Sequence, residues 1–233
     1  MSAVLRREFS SFFKSPIGYV YLAVYTLIAG FYFYALVAMQ STQISMVYSS
    51  LFIFSCILVP ILTMKLFSDE KKQKTDQLLL TSPVSLSGLV YGKFFATFFV
   101  YAIGVSVTLV YALILAGFGE LDWMVMLGNY VGLLLLGAAM IAIGELVSSV
   151  TESQIIAVIL SLIVTIALLL LDSIISMFGI AFLTDIISAI SITQRYTEFT
   201  NGLFDISNVI FFASIVVICN FITVRILEKK RWS

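Results

Sequence analysis

The side chains best suited to chemistry in this chain lie in one short charged segment. Residues 68–77 read SDEKKQKTDQ, and six of these ten residues are charged. The runs on either side, residues 15–64 and 94–119, contain no charge. A charge at the centre of a membrane helix costs ~2.5–3.5 kcal/mol on insertion scales, so this segment must lie in water. Carboxylates and ammonium groups gathered there could dock a partner through charge-assisted hydrogen bonds.

The same segment has the pattern of a short surface helix. Ser68 is expected to cap it, while Asp69 and Glu70 suit the positive N-terminal end of a helix. Leucines at 78–80 would hold it to the membrane body, and the Thr-Ser-Pro sequence at 81–83 would end it. We expect Glu70 to lie outside the protein core, so that reversing its charge leaves folding intact. A plain solvated loop that only orients the chain is the alternative.

Catalytic residues are missing by type or by spacing. The sequence has no histidine, which removes the commonest metal ligand and proton shuttle. It has no phosphate-loop motif, since Gly92-Lys93 is followed by Phe94, and no zinc-protease or serine-hydrolase motif. Cys56 and Cys219 both lie within apolar runs, where cysteine is typically a small packing residue. We therefore expect no enzymatic activity, no metal site and no cofactor in this chain.

Apolar helices must position the charged segment. Hydrophobic residues make up 61% of the sequence and charged residues 11%, against about 25% charged residues in soluble domains. About 20 helical residues cross a hydrocarbon core of about 30 Å. We expect an all-α polytopic membrane protein, with residues 1–233 forming a single transmembrane domain. Six spans are predicted, at roughly residues 17–39, 46–67, 89–118, 124–147, 154–171 and 208–224.

The distribution of lysine and arginine predicts the orientation of these spans. Twelve of the thirteen basic residues precede the first span, lie around the loop between spans two and three, or follow the last span; Arg195 is the exception. Basic residues accumulate in cytoplasmic loops. We therefore expect both termini and residues 71–74 and 151–153 in the cytoplasm. Residues 40–43, 120–122 and 195–205 are expected outside.

The first fifteen residues predict a helix that lies on the membrane surface. Leu5, Phe9, Phe12 and Phe13 share one face at helical spacing, and basic and hydroxyl side chains share the other. A helix of this kind rests in the headgroup layer. Pro16 then breaks it, because the residue before a proline disfavours the helical conformation. The alternative is a disordered basic tail.

Three features lie outside these two segments. Residues 172–207 are too long for a tight turn and too apolar for a loop, which favours re-entrant or interfacial helices on the outer face. Glu145 could be a functional intramembrane acid, but we favour a side chain that reaches water one turn away. Gly128-x-x-x-Gly132 could form a helix-packing face.

Several segments together resemble the permeases of type-2 ABC exporters, also called ABC-2 type permeases. That family's first cytoplasmic loop carries two acids, basic residues, leucines and Ser-Pro in the order found here. The basic ending and the residues after 194 resemble the branch that includes gliding-motility and nitrous-oxide-reductase-maturation permeases. The family's glycine before Thr75 is Lys74 here, and its glutamate is Gln77. The similar segments are residues 13–16, 69–85, 149–157, 195–205 and 228–232.

The resemblance implies a multi-pass permease subunit of a bacterial exporter in the cytoplasmic (inner) membrane. Residues 1–15 would be its elbow helix, 68–84 a coupling segment and 172–207 an external re-entrant region. The implied partners are a cytoplasmic ABC ATPase that binds ATP and Mg²⁺, a second or homologous permease, membrane lipid and an extracytoplasmic accessory protein; nucleic acid is not among them. A secondary transporter or a membrane scaffold without an ATPase is the alternative. The implied coupling residues are Asp69, Glu70, Lys71, Lys72, Thr75, Gln77, Thr151 and Glu152.

Overall fold

The computed structural model describes residues 2–74, 85–118, 121–178 and 191–232. Over these ranges the chain forms nine α-helices and no strand, which confirms the all-α prediction. The helices are α1 (Ser2–Lys14), α2 (Pro16–Ala38), α3 (Ser45–Thr63), α4 (Ser68–Lys72), α5 (Leu86–Phe118), α6 (Trp123–Val150), α7 (Gln154–Phe178), α8 (Ile192–Thr200) and α9 (Ile206–Trp232).

Five helical stretches are long and apolar enough to cross a membrane by length and composition. They are Pro16–Ala38, Ser45–Lys72, Leu86–Phe118, Trp123–Val150 and Ile206–Arg231. The remaining predicted span, residues 154–171, coincides with the start of α7, which is apolar over Gln154–Leu170. Several helices that are able to span a membrane are therefore present, and the sixth span stays a prediction.

The helix boundaries follow local sequence chemistry. Pro16 occupies the first turn of α2, where its missing N–H is not needed, and Ser15 before it is extended. Asp122 caps α6 by accepting hydrogen bonds from the backbone N–H groups of Met124 and Val125, at 2.9 and 3.2 Å. Ser191 caps α8 in the same way, through the N–H of Gln194 at 3.0 Å. Polar residues at the ends of apolar runs thus fix where these helices begin.

Helix α6 is the centre of the bundle. It packs against α3, α5, α7, α8 and α9, and its side chains Leu133, Leu136 and Ile141 are fully buried. A methyl group added at Gly132 would come within 2.8 Å of the Cβ atom of Phe199 on α8. The missing side chain therefore permits the close packing of α8 on α6, and the Gly128-x-x-x-Gly132 face is a helix-packing face.

The polar side chains gather at two opposite ends of the bundle. One end holds α1, α4, the start of α5 and the turn between α6 and α7. At the other end, the Asn129 amide donates to the carbonyl of Thr200 and to the hydroxyl of Ser45, both at 3.3 Å. The first end contains residues 71–74 and 151–153, and the second contains residues 42–45. We call the first the charged end, and its cytoplasmic location stays a prediction.

Helix α8 lies within the predicted external region, residues 172–207. Its nine residues are too few to cross a membrane, and they pack instead on α3 and α6. Tyr196 stacks on Phe52 with ring centroids 4.5 Å apart. Arg195 donates to the side-chain oxygen of Asn208 on α9 at 2.8 Å. Residues 179–190 lie outside the described part of the chain, so the re-entrant prediction for them stays a prediction.

Helix α1 covers residues 2–14 and packs against α5 and α2. Of its predicted apolar anchors, Phe12 is buried, while Leu5, Phe9 and Phe13 are half-buried. Val4 passes directly over Gly92 of α5, where an added Cβ would lie 2.8 Å from the Val4 side chain. Part of the apolar face of α1 therefore packs against other helices of the protein. The location of α1 on the membrane surface stays a prediction.

The orientation can be tested by labelling single cysteines with a membrane-impermeant thiol reagent. We expect Gln43→Cys to react in intact cells and Lys72→Cys to react only after the membrane is opened, because both positions are exposed and lie at opposite ends. Cys56 and Cys219 are first replaced by alanine. Labelling of Lys72→Cys, with none of Gln43→Cys, in intact cells would reverse the predicted topology.

Candidate functional site

The charged segment begins at the charged end with α4, which packs against α6 and α7. The Glu70 carboxylate of α4 meets cations from two other helices, Lys93 of α5 and Arg7 of α1. The Lys93 side chain is 2% exposed although it carries an ammonium group. Its Nζ atom lies 2.8 Å from the Glu70 carboxylate of α4 and 3.4 Å from the Glu8 carboxylate of α1. An ammonium group buried this deeply requires such partners, since its hydration is lost.

Further contacts satisfy the remaining donors of this ion cluster. Lys93 also donates to the carbonyl of Leu66 at 2.6 Å, and its Nζ lies 5.0 Å from the centroid of the Phe67 ring. Arg7, which is half exposed, approaches the Glu8 carboxylate to 2.5 Å and the Glu70 carboxylate to 3.5 Å. Two cations and two carboxylates therefore join α1, α4 and α5. We call these four residues, Arg7, Glu8, Glu70 and Lys93, the ion cluster.

A serine on α6 holds the joint between α3 and α4. The Ser148 hydroxyl oxygen accepts from the backbone N–H groups of Phe67 and Ser68, at 3.1 and 3.2 Å. The same hydroxyl donates to the carbonyl of Met64 at 3.2 Å. The prediction that Ser68 caps α4 is wrong: the N-cap residue is Phe67, and the Ser68 hydroxyl donates back to the Met64 carbonyl. The cap is supplied from another helix.

Two more contacts tie α4 to the turn between α6 and α7. The side-chain amide of Gln154, the first residue of α7, donates to the Asp69 carboxylate at 2.7 Å. The Lys71 ammonium group donates to the backbone carbonyl of Ser149. Asp69, Glu70 and Lys71 are therefore engaged within this chain. Glu70 is not itself fully buried, since 19% of its side chain is exposed, but its ion pair with the buried Lys93 argues against the expectation that reversing its charge leaves folding intact.

Two residues of the predicted coupling set, Lys72 and Glu152, are exposed, and so is Lys74, which is not part of that set. Lys72 and Lys74 are exposed after the last α4 contact, and Glu152 is exposed on the α6–α7 turn. Thr151 ends α6, with its hydroxyl on the carbonyl of Val147 at 3.1 Å. Thr75 and Gln77 lie outside the described residues. Lys72, Lys74 and Glu152 form what we call the exposed face of the site.

Lys74 has a backbone conformation that lysine rarely adopts. Its φ angle is +57°, in the left-handed region where only glycine is free of a steric penalty. This is the position at which the resembling family carries glycine. The backbone turn after α4 is therefore formed here despite the lysine, which places one more positive charge on the exposed face.

Glu145 of α6 does not reach water as expected. It is 0% exposed, and neither carboxylate oxygen has a hydrogen-bond partner among the described residues. The adjacent Gly144 has no side chain, which lets α6 pack closely on Thr63 of α3. Lys93 and Glu8 of the ion cluster are close enough to interact electrostatically with this carboxyl group. The favoured interpretation of Glu145 is thus wrong, and the residue extends the polar region beneath the ion cluster.

Sequence patterns indicated the charged segment but missed its main partners. Lys93 is the sole charge within the 33 residues of α5, and this isolation was the available signal. Glu8 and Ser148 carried no signal in the sequence. Among the described residues, no group of histidine, cysteine, aspartate and glutamate could hold a metal ion. Within the ion cluster, no nucleophilic side chain lies beside a base. Its charged groups hold the helices together.

Comparison with known families gives one match that spans nearly the whole chain. Residues 2–227 match the family described as "ABC-2 family transporter protein". No curated protein sequence matches the chain. The match includes α1 through most of α9, and with them the whole ion cluster.

Replacing Lys93 by methionine should strongly destabilise the protein. The change leaves Glu70 part-buried without its nearest cation, and breaking a buried ion pair costs about 3–5 kcal/mol of unfolding free energy. The double variant Lys93→Met with Glu70→Met should recover much of this loss, because no unpaired charge remains. Denaturant titration of the purified protein in detergent measures both. Lys72→Met is the exposed control, and an equal effect of Lys72→Met and Lys93→Met would contradict the structure.

Proposed function

The chain belongs to the ABC-2 family of transporter proteins, and from this membership we propose that it is the membrane permease subunit of an ATP-driven exporter. Permeases of this family are transporter components and not catalysts. ATP hydrolysis would occur in a separate cytoplasmic ABC ATPase, which would bind ATP and Mg²⁺. The absence of a phosphate-loop motif from the sequence supports this division.

The observation that carries the proposal is the way α4 is tied to the bundle. Glu70 ties it to Lys93 of α5, and Asp69 ties it to Gln154 of α7. Ser148 of α6 holds the backbone at its start. A displacement of α4 would therefore act on three long helices at once. A partner that binds two states of the permease with different affinity can shift their populations through such a contact.

The exposed face of the site is the surface we propose for docking the ATPase. Lys72, at the end of α4, and Lys74, just after it, are exposed at the charged end, as is Glu152 on the turn between α6 and α7. Thr75 and Gln77 follow in the same segment and are included in the proposed contact, as is Thr151. Asp69, Glu70 and Lys71 would transmit motion from this face, since their own contacts are internal.

The remaining parts of the proposal follow from the family and the charge distribution. We propose six spans with both termini in the cytoplasm of a bacterial cell, and a working assembly of two permeases and two ATPases. The second permease would be a copy of this chain or a homologue, and an accessory protein would bind outside. Helix α1 would rest on the membrane surface with Leu5, Phe9 and Phe13 toward lipid and Phe12 toward protein.

The docking face can be tested by reversing its positive charges. Lys72→Glu with Lys74→Glu should weaken ATPase binding about tenfold or more, the effect of losing 1.4 kcal/mol or more of charge complementarity. The measurement is the amount of ATPase that co-purifies from native membranes, identified by its phosphate-loop motif and its ATP hydrolysis. Lys229→Glu with Arg231→Glu is the matched control, because these exposed charges lie on α9.

Two outcomes would count against the proposal. If both double variants retain the ATPase equally, the exposed face is not the docking site. If the unmodified chain retains no ATPase and still transports, the chain is a secondary transporter; if it does not transport, it is a scaffold. Insertion of all variants into the membrane is measured alongside, so that loss of binding is distinguished from loss of protein.

A further inference from the structure

Two adjoining cavities open beside α2 near the charged end. The first, a polar cleft of about 360 Å³, lies between α1, the α3–α4 joint and the start of α5. The second, an apolar groove of about 240 Å³, runs between α2 and α3. Ile17 and Leu62 line both, so the cleft and the groove lie directly next to each other. A polar cleft beside an apolar groove suits an amphiphilic ligand, which has a polar headgroup and an apolar chain.

The polar cleft offers one open cation and one partly open carboxylate. Its charged walls are three basic and three acidic side chains, so they balance. The four residues of the ion cluster pair with one another. Lys65 and Asp69 are the two charged residues of the cleft that are left to contact a ligand. Within the described chain, Lys65 has no ion pair or hydrogen bond, and Asp69 uses only Oδ1, toward Gln154. The hydroxyl groups of Ser11 and Ser15 add neutral donors.

The apolar groove has the length and lining of an acyl-chain site. Along α2 it runs from Pro16 to Val24, eight residues or about 12 Å at 1.5 Å per residue. This is less than half of a hydrocarbon core of about 30 Å, and therefore stays within one leaflet. No polar atom of the wall is exposed to the groove. Ile61 and Leu58 form the opposite wall, on α3.

We propose that this composite cavity binds a phospholipid whose headgroup carries both a phosphate and a primary ammonium. Lys65, Ser11 and Ser15 would bind the phosphate, and the second oxygen of Asp69 would accept from the ammonium. An acyl chain would fill the groove between α2 and α3. A headgroup that carries a phosphate but no cation fits less well, because it would meet the carboxylate of Asp69 without an ammonium group to donate to it.

The same lipid would touch the proposed coupling joint. Lys65 lies in the turn between α3 and α4, and Asp69 lies on α4 itself. A bound headgroup would therefore brace the joint against α1, whose Ser11 and Phe12 form another wall of the cleft. Lipid binding here does not require the ATPase, so this proposal stands or fails separately from the proposed function.

Native mass spectrometry of the purified full-length chain tests the site. Detergent-solubilised protein is titrated with phosphatidylethanolamine, phosphatidylcholine or phosphatidylglycerol of the same acyl chains. We expect one phosphatidylethanolamine per chain to bind at least about fivefold more tightly than either of the others. Phosphatidylcholine tests the ammonium contact, since its quaternary nitrogen has no N–H to donate.

Variants locate the binding within the molecule. Val24→Trp fills the groove and Lys65→Ala removes the open cation, and each should reduce binding at least about fivefold. The matched controls are Leu27→Trp, exposed on α2 outside the groove, and Lys14→Ala, exposed at the end of α1. Asp69→Asn should abolish the preference for phosphatidylethanolamine over phosphatidylcholine. Ile61→Trp fills the groove from α3, and serves if the Val24 variant does not fold, as judged by its melting temperature.

Several results would overturn the proposal. Equal binding of the three lipids would exclude the assigned headgroup contacts. Unchanged binding by folded Val24→Trp and Ile61→Trp variants would exclude the groove. If these variants instead separate permease dimers and leave lipid binding unchanged, a second copy of the chain covers the groove.

Discussion

The ammonium group of Lys93 sets the arrangement of the whole charged end. It belongs to an otherwise uncharged helix of 33 residues, and it is buried. A buried cation is tolerated only with carboxylates and hydrogen-bond acceptors around it. Glu8 must therefore come from α1, Glu70 from α4 and the Leu66 carbonyl from the turn between α3 and α4. One charge thus fixes where three other parts of the chain lie.

The need of Lys93 for carboxylate partners changes how the charged segment is interpreted. As a sequence it reads as a set of surface charges available to a partner, but Asp69 and Glu70 turn inward, while Lys72 and Lys74 stay exposed. The inward acids make α4 part of the bundle and the exposed lysines give it a surface for contact. The coupling role proposed for α4 would need both properties, since a helix loosely attached to its bundle would absorb a displacement instead of passing it on.

Buried polarity continues below the ion cluster and within the bundle. Glu145 lies one turn before Ser148 on α6, with no hydrogen-bond partner among the described residues. Further inside, the hydroxyl group of Ser55 lies 3.4 Å from that of Tyr25 and 3.3 Å from that of Tyr101. These contacts join α2, α3 and α5 by hydrogen bonds, which have few competitors where water is excluded. The helices are held by specific polar pairs as well as by shape.

The sequence by itself determined the helices and their class, because long uncharged runs can only be membrane helices and polar residues end them. Predicted spans 17–39 and 124–147 therefore agree closely with α2 and α6. The partners of the charged residues were decided only by the tertiary structure. Glu70 and Lys93 are 23 residues apart, and Asp69 and Gln154 are 85 apart. Hydrophobic periodicity indicates which segments are buried away from water. It does not indicate which side chains, distant in the sequence, come into contact when the chain folds.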